Sequence, residues 1–576
     1  MNRRIICRVL GMLLLCLAAL MVLPTIAGLW YGESVSHFLI TMALTGAVGF
    51  IMTRVKPYSS IIYAKDGFVI VGLGWILMSL FGALPFVISG DIPNYIDAVF
   101  ETVSGFTTTG ASILENVEEM SQGCLFWRSF THWIGGMGVL VFMLAILPMA
   151  GGQNLHLMRA ESPGPTVGKL VPRVRQTAKI LYLIYVAMTA VEVVLLLLGG
   201  MSLFDALIHS FGSAGTGGFS NKVASVGAYN SAYIEMVIAV FMALFAINFN
   251  LFFLILIGRW KDALKSEELH WYLAIIAASV LAIALGIRGM YGSMLTALRH
   301  AFFNVSSITS TTGFCTVDYV QWPAYCQWIL VILMFCGACA GSTGGGLKTS
   351  RVAMIFKNIA CEIRQMLHPR TVTRVQMDGK RVDETGMKAV NTFFACFMVL
   401  LILGTFLVSL DGHDTATNFT AVLSCMSNIG PGISLVGPTG NFNIFSYASK
   451  IVLTFAMYAY LKFSKQGYEI SVVGESENTA RYAGINVRRV TVRTMLISGA
   501  VCGLCGFLIV AGKDQTIATT SAGGRGFTAI IVAWLAKFNT FYMALISFLL
   551  VFLERGASEI ASAYSLNEYA ADIITG

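Results

Sequence analysis

Charge is scarce in this sequence. Only 12% of its 576 residues are Asp, Glu, Lys or Arg, against roughly 25% in an average soluble domain. That shortage excludes an ordinary soluble enzyme, a disordered chain and a coiled coil. Clustered cysteine chemistry is also missing. The twelve cysteines are scattered, mostly in apolar stretches. The two CxxC pairs, Cys336/Cys339 and Cys502/Cys505, have no His or carboxylate nearby and read as small packing residues. No nucleophile, base and orienting group can be assembled, so the sequence gives an enzyme no support and implies no covalently bound cofactor. The net charge of +8 belongs in loops at one membrane face rather than on nucleic acid. An A-x-A-like cleavage site is absent after the first apolar run, which therefore reads as a retained helix.

What is present is apolar length: 56% of the residues are hydrophobic. Long apolar runs near 5–28, 36–53, 67–89, 129–149, 179–200, 233–257, 270–289, 325–340, 389–410 and 443–461 each span, or nearly span, a hydrocarbon core of roughly 30 Å as a helix. Further runs follow near 490–512 and 526–553. Arg3, Arg4 and Arg8 place the N-terminus inside. Segment 348–388 carries nine basic residues against four acidic ones, whereas segment 89–127 has Asp91, Asp97, Glu101, Glu115, Glu118 and Glu119 and no Lys or Arg. The basic segments 150–178 and 348–388 are therefore cytoplasmic and 89–127 external. The alternation of spans agrees through residue 461.

Glycine, with 57 residues, is abundant in a chain that belongs in lipid. Four glycine-centred, hydroxyl-rich runs lie between helix pairs: SGFTTTGAS at 104–112, FGSAGTGGFS at 211–220, SSITSTTGFC at 306–315 and SCMSNIGPGIS at 424–434. Aligned on Gly110, Gly217, Gly313 and Gly430, they recur about every hundred residues, room for two spanning helices and a re-entrant segment. All four fall on the external side. Irregular backbone at membrane depth is tolerated only where it is buried or lines a watery path. Four such turns around one axis would form rings of carbonyls that replace the hydration shell of a monovalent cation. Half-helix C-termini would add negative potential, and Asp97 and Glu101 would enrich cations at the mouth. The fold class expected is an all-α polytopic membrane protein: two leading helices, then four helix–re-entrant pore helix–helix repeats around a pseudo-fourfold pore, then additional C-terminal transmembrane helices. The divisions are 1–66, 67–149, 177–257, 270–347, 389–457 (its second helix incomplete) and 458–576.

A second glycine feature, GACAGSTGGGLKTS at 337–350, interrupts the helix that starts near 325. Gly341 to Gly346 has the spacing that opens a P-loop. Leu347 intervenes before Lys348 and no strand precedes it, so nucleotide binding is rejected. The segment reads as an intramembrane loop that obstructs the pore. Gly341, Gly344, Gly345 and Gly346 are its flexible points, and Lys348 and Arg351 stand at its cytoplasmic edge. Glu192, inside the 179–200 run, is the one buried-looking carboxylate with functional potential.

These motifs, with AESPGPTVGKLVPRVRQTAKILY at 160–182 and AGSTGGGLK at 340–348, resemble the Trk/Ktr/HKT potassium-transporter superfamily over about 1–457. The Trk potassium-uptake subunit fits best because two helices lead the first repeat. The resemblance implies a homodimer in a bacterial inner membrane, with one potassium path per subunit. It also implies a cytoplasmic nucleotide-binding regulatory subunit. The filter residues it implies are Thr108, Thr109 and Gly110; Thr216, Gly217 and Gly218; Thr311, Thr312 and Gly313; and Asn428, Ile429 and Gly430. Asn428-Ile429 replaces a threonine pair, so the filter is asymmetric and expected to admit some sodium.

The end of the chain departs from this pattern. Residues 450–463, KIVLTFAMYAYLKF, lack the arginine that Trk proteins carry in a stretch like LLGRLE. From about Tyr458 the sequence resembles the C-terminal part of ABC-importer permeases for nucleosides or simple sugars. The coupling segment GYEISVVGESENTARYAGIN would dock an ATPase at 467–489. The alternative functions are therefore an ABC permease component or a non-functional fusion of the two. The chain reads as a join of a nearly complete Trk subunit to a permease fragment.

Overall fold

The computed structural model describes residues 3–55, 64–136, 138, 174–368, 374–382 and 384–457, all within the compact unit Met1–Ser464. The permease-like segment 458–576, with its ATPase-docking stretch, lies outside the described residues, as do 139–149 of the first repeat and most of the basic segment 150–178.

The leading part comprises α1 (Arg3–Leu20), α2 (Val22–Trp30) and α3 (Ser36–Thr53). Helices α1 and α3 cross where Gly11 meets Gly49. A Cβ on Gly11 would stand 2.7 Å from the Gly49 carbonyl oxygen, and one on Gly49 would stand 2.9 Å from that of Gly11. In lipid, where hydrophobicity does not drive helices together, such small-residue crossings let backbones pack closely.

The first repeat is α4 (Ala64–Gly82), α5 (Leu84–Ser89), the half-helix α6 (Tyr95–Phe106) and α7 (Gln122–Gly136). The second is α8 (Val174–Leu198), half-helix α9 (Leu203–Gly215), α10 (Ala232–Phe245) and α11 (Phe249–Leu256), followed by the short α12 (Trp260–Leu264). The third is α13 (Glu267–Tyr291), half-helix α14 (Met294–Thr309) and α15 (Ala324–Cys336), leading into α16 (Thr349–Leu367) and a hairpin of β1 (Gln376–Met377) and β2 (Lys380–Arg381). The fourth is α17 (Glu384–Val408), half-helix α18 (Thr415–Ser427) and α19 (Tyr447–Met457).

Among the described residues, six helices are long and apolar enough to cross a membrane: Arg3–Trp30, Ser36–Thr53, Val69–Ser89, Ile180–Leu198, Glu267–Tyr291 and Gly386–Asp411. The apolar run at 233–257 is not one straight span. It breaks between α10 and α11 with a bend of 93°. Asn248 caps α11, its side chain accepting the Asn250 N–H at 3.0 Å.

The half-helices are too short to cross. With 12, 13, 16 and 13 residues, they reach roughly 18–24 Å against a core of roughly 30 Å. Each starts after a polar residue in extended conformation, Asn94, Ser202, Ser293 or Asp414. Three of these side chains accept an N–H of the first turn, at 2.8 Å from Ile96 and 3.1 Å from Asp205 and Thr417, as N-caps do.

Widening the glycine crossing should loosen the leading helices. Gly11→Val is expected to cost about 1–3 kcal/mol by overpacking, read as a lower thermal-unfolding midpoint in detergent. An unchanged midpoint would contradict the crossing as described.

Candidate functional site

Each half-helix ends in the same way. The residue after its last turn takes a left-handed backbone conformation: Thr108 (φ 56°), Thr216 (55°), Thr311 (61°) and Asn428 (57°). The next residue returns its N–H to the helix. Thr109 donates to the Ser104 carbonyl at 2.8 Å, Gly217 to Gly212 at 2.8 Å, Thr312 to Ser307 at 2.9 Å and Ile429 to Ser424 at 3.0 Å. These are Schellman-type caps. Glycine is the usual residue at the left-handed position, so four non-glycine residues there are strained and held by their surroundings.

Two residues after each strained position comes a glycine, also left-handed: Gly110 (φ 78°), Gly218 (75°), Gly313 (90°) and Gly430 (99°). The equivalent of Gly110 in the second repeat is therefore Gly218. The alignment on Gly217 is one residue out of register, and Gly217 matches Thr109, Thr312 and Ile429. The two adjacent glycines serve different ends. Gly218 supplies the left-handed turn, whereas any side chain on Gly217 would collide with the ring of His132.

The four turns close on one another. A Cβ on Gly110 would strike the Gly217 carbonyl oxygen, one on Gly218 that of Thr312, and one on Gly313 that of Ile429. A Cβ on Gly430 would lie 2.9 Å from the carbonyl oxygen of Thr109. Each left-handed glycine thus sits against the middle carbonyl of the next repeat, and the fourth returns to the first. All four glycines line one external vestibule of about 140 Å³.

The fourth turn differs in kind. The Asn428 amide donates to the Thr107 carbonyl at 2.7 Å and to Thr109 Oγ1 at 3.0 Å, stapling repeat four to repeat one. The Ser424 hydroxyl donates to the Gly430 carbonyl at 2.6 Å. Repeats one and three instead pair hydroxyls, Thr107 with Thr109 at 2.8 Å and Ser310 with Thr312 at 2.7 Å.

The expected mouth carboxylates are not free. Glu101 is buried and holds Arg128 Nε at 2.6 Å, the Ser112 hydroxyl at 2.9 Å and the Ile113 N–H at 3.0 Å. Asp97 holds Lys450 Nζ of α19 at 2.7 Å. Both are structural ion pairs between the half-helix and its neighbours, which corrects their reading as cation-enriching charges. Arg128 also donates to the Ser220 carbonyl at 3.1 Å and lies 3.5 Å over the Phe219 ring. His132, one turn further along α7, has Nδ1 2.8 Å from the Gly105 carbonyl and packs its ring on Phe219 with centroids 4.1 Å apart. Sequence reading passed over both residues. Their signal was two ionisable side chains four apart in one helix, hence on one face. Glu192 is fully buried and neither of its oxygens closes a hydrogen bond. The Ser213 hydroxyl, in the last turn of α9, is the polar group acting on it, so it stands beside the half-helix close to the second re-entrant turn.

The loop 337–348 meets the inner ends of two half-helices. The Gly345 N–H donates to Thr311 Oγ1 at 2.6 Å. A Cβ on Gly344 would press on the Ser310 carbonyl at 2.7 Å, and one on Gly345 would lie 3.0 Å from the Asn428 Cβ. The loop also docks on the break between α10 and α11. Cys339 donates to the Ala246 carbonyl at 3.0 Å, and Phe249 donates to that of Gly341 at 3.0 Å. Lys348 is not at an exposed cytoplasmic edge. It is buried, and its ammonium donates to the Gly344 carbonyl, so it staples the loop internally. The guanidinium of Arg351 lies 4.2 Å over the Phe393 ring.

The Arg128–Glu101 pair carries a direct test. Arg128→Ala leaves a buried carboxylate uncompensated and should cost about 3–5 kcal/mol, measured by thermal unfolding. The double variant Arg128→Leu/Glu101→Leu should recover part of that loss. Equal loss in both would contradict the pairing.

A family model described as TrkH, Cation transport protein, matches residues 34–459. The chain is 35% identical over 468 residues to the Trk system potassium uptake protein TrkH of Salmonella typhimurium, covering 79% of this chain and 95% of that protein. It is 34% identical over 465 residues to the protein of the same description from Escherichia coli, with the same coverage. The crystal structure of the potassium transporter TrkH from Vibrio parahaemolyticus superposes with a TM-score of 0.73 at 32% identity, covering 81% of this chain and 98% of that one. The alternative reading as a permease of an ATP-driven importer finds no support in these matches. With more than half of its length matched to one family and relatives covered almost from end to end, the chain belongs to the TrkH family of cation transport proteins.

Proposed function

We propose that this chain takes up potassium across the bacterial inner membrane by stripping water from the ion on the backbone carbonyls of its four re-entrant turns. It is a multi-pass inner-membrane protein of a potassium-uptake family, and on this reading a transporter rather than an enzyme. The observation that carries the reading is the closed ring, in which each left-handed glycine rests on the next repeat's middle carbonyl. A ring of that kind gathers backbone oxygens from four places in one chain around one opening, as cation selection by carbonyls requires. The four half-helices point their C-terminal ends toward it and add negative potential.

The filter on this reading is Thr108–Gly110, Thr216–Gly218, Thr311–Gly313 and Asn428–Gly430, with potassium as the transported ion and substrate. Residues 1–66 lead, and four units at 67–149, 177–257, 270–347 and 389–457 surround the path. The loop bearing Gly341, Gly344, Gly345, Gly346 and Lys348 is the gate, because it touches the inner ends of the third and fourth half-helices at Thr311 and Asn428. The subunit works as a homodimer. A cytoplasmic nucleotide-binding partner acts on the gate from the face that carries the basic segment 348–388.

The asymmetry of the ring bears on selectivity. The Thr107 carbonyl is engaged by Asn428 and the Gly430 carbonyl by Ser424. One filter oxygen, that of Gly430, is thereby committed to the protein, and the Thr107 carbonyl just before the first turn is tied up by the fourth repeat. Fewer free carbonyls make discrimination between monovalent cations looser than in a symmetric four-chain filter.

Expressed in a bacterium deficient in potassium uptake, the 576-residue chain should restore growth at low potassium. Gly313→Ser should not, because its side chain meets the Ile429 carbonyl in a left-handed turn. In proteoliposomes, potassium flux should exceed sodium flux while sodium flux stays measurable. Gly313→Ser should cut the ratio by about tenfold or more, the equivalent of about 1.4 kcal/mol of differential binding. Failure of the full chain to rescue, or equal rescue by the variant, would overturn the reading, and strict exclusion of sodium would overturn the asymmetry argument.

A further inference from the structure

We infer that Glu267 and Glu268, consecutive residues at the start of α13, form a latch that ties the gate loop to the cytoplasmic helix α16 and its hairpin. The inference rests on the reading of the loop at 337–348 as the gate. Its basis is a pair of hydrogen bonds to one oxygen. Glu268 Oε1 accepts the Ala340 N–H at 2.7 Å and the Ser350 N–H at 3.0 Å. Ala340 lies on the entry side of the loop and Ser350 in the first turn of α16, beyond its exit. One buried carboxylate oxygen thus fastens both ends of the loop to a helix of the third repeat. A carboxylate acting only as a cap for α16 would account for the Ser350 bond. It would not account for the Ala340 bond, which lies before the glycine run.

Glu267 completes the connection in another direction. Neighbouring residues on a helix point about 100° apart, and the Glu267 side chain reaches away from the loop. Its carboxylate takes the Lys357 ammonium of α16 and the Asp378 N–H at 3.1 Å, and its own N–H donates to Asp378 Oδ1 at 2.7 Å. Lys357 also donates to the Gln376 carbonyl at 2.8 Å. The turn of the β1–β2 hairpin, the middle of α16 and both ends of the loop therefore converge on two adjacent side chains. From there the loop runs to Thr311 through the Gly345 N–H. A displacement of α16 or the hairpin pulls on Glu267 and, through the shared helix start, on the Glu268 tether.

The strengths favour Glu268 as the holding contact. The loop's other attachments, from Cys339 to Ala246, from Phe249 to Gly341 and from Gly345 to Thr311, are neutral hydrogen bonds. The Glu268 pair is charge-assisted, and such bonds are about twice as strong. Both glutamates act through the loop and are positioning residues.

The test uses the full chain in proteoliposomes without a partner, and reads two quantities. One is potassium flux. The other is site-resolved labelling of Cys339, which lies in the loop and is 1% exposed, by a membrane-permeant thiol reagent. Glu268→Gln should speed Cys339 labelling and raise flux, each by about tenfold, as loss of one charge-assisted tether implies. Glu267→Ala should move both in the same direction by less. Unchanged Cys339 labelling in Glu268→Gln overturns the latch whatever the flux does. Faster labelling with unchanged flux upholds the latch and overturns the gate reading instead. Cys425, fully buried in α18, reports general loosening. If it becomes reactive in the Gln variant, Glu268→Asp, which keeps the charge at shorter reach, is compared with the unaltered chain by the same criterion.

Discussion

Four glycines, each resting on a carbonyl of the next repeat, hold the centre of this molecule together. Backbone that leaves a helix at membrane depth carries polar groups with no water to satisfy them. Here four segments do so at once, and each solves its problem with its neighbour. The Schellman-type caps use the N–H groups of Thr109, Gly217, Thr312 and Ile429, and leave the carbonyls of the same residues turned to the adjacent glycine. No Cβ is tolerated at those contacts, so the ring is possible only with glycine at 110, 218, 313 and 430. The strained conformations of Thr108, Thr216, Thr311 and Asn428 persist because the ring over-determines them.

The rest of the fold serves that ring from two sides. Outside it, two buried ion pairs anchor the first half-helix: Glu101 to Arg128 of the same repeat, and Asp97 to Lys450 of the fourth repeat. His132 fills the space behind Gly217, so the second helix of repeat one shapes the turn of repeat two. Inside it, the loop at 337–348 reaches the undersides of repeats three and four because Gly344 and Gly345 present no side chain there. The break between α10 and α11 supplies the loop's dock. Ring, loop and α16 are thus connected through short contacts, a geometry in which a displacement of α16 reaches the ring.

Much of this is legible in composition alone. Scarcity of charge sets the class, and the basic segments orient the spans. Four hydroxyl- and glycine-rich runs betray the re-entrant turns because they recur at matched places in four units, whereas one such run alone would equally suit a close helix crossing. What is not legible depends on geometry or on distance along the chain. The run Gly215-Thr216-Gly217-Gly218 offers several candidates for one position, and only the sign of φ selects Gly218. Asp97 looks like a free mouth carboxylate until Lys450, more than three hundred residues away, is found against it. Lys348 looks like an exposed basic edge, yet folds back on Gly344 within its own loop. The break at 246–248 interrupts a long apolar run, with Asn248 and Asn250 its visible signs. Glu268 has no sequence signal, since an acidic residue at a helix start is ordinary.

The central claim is that four turns of one chain surround a single cation path at the ring. Diffraction from crystals grown with rubidium or thallium in place of potassium tests it most directly, because the ions are located by anomalous scattering. The account predicts the strongest ion density inside the ring bounded by Gly110, Gly218, Gly313 and Gly430, within reach of carbonyls from all four repeats. Principal ion density outside the ring, or coordination by the turns of one or two repeats only, would contradict it.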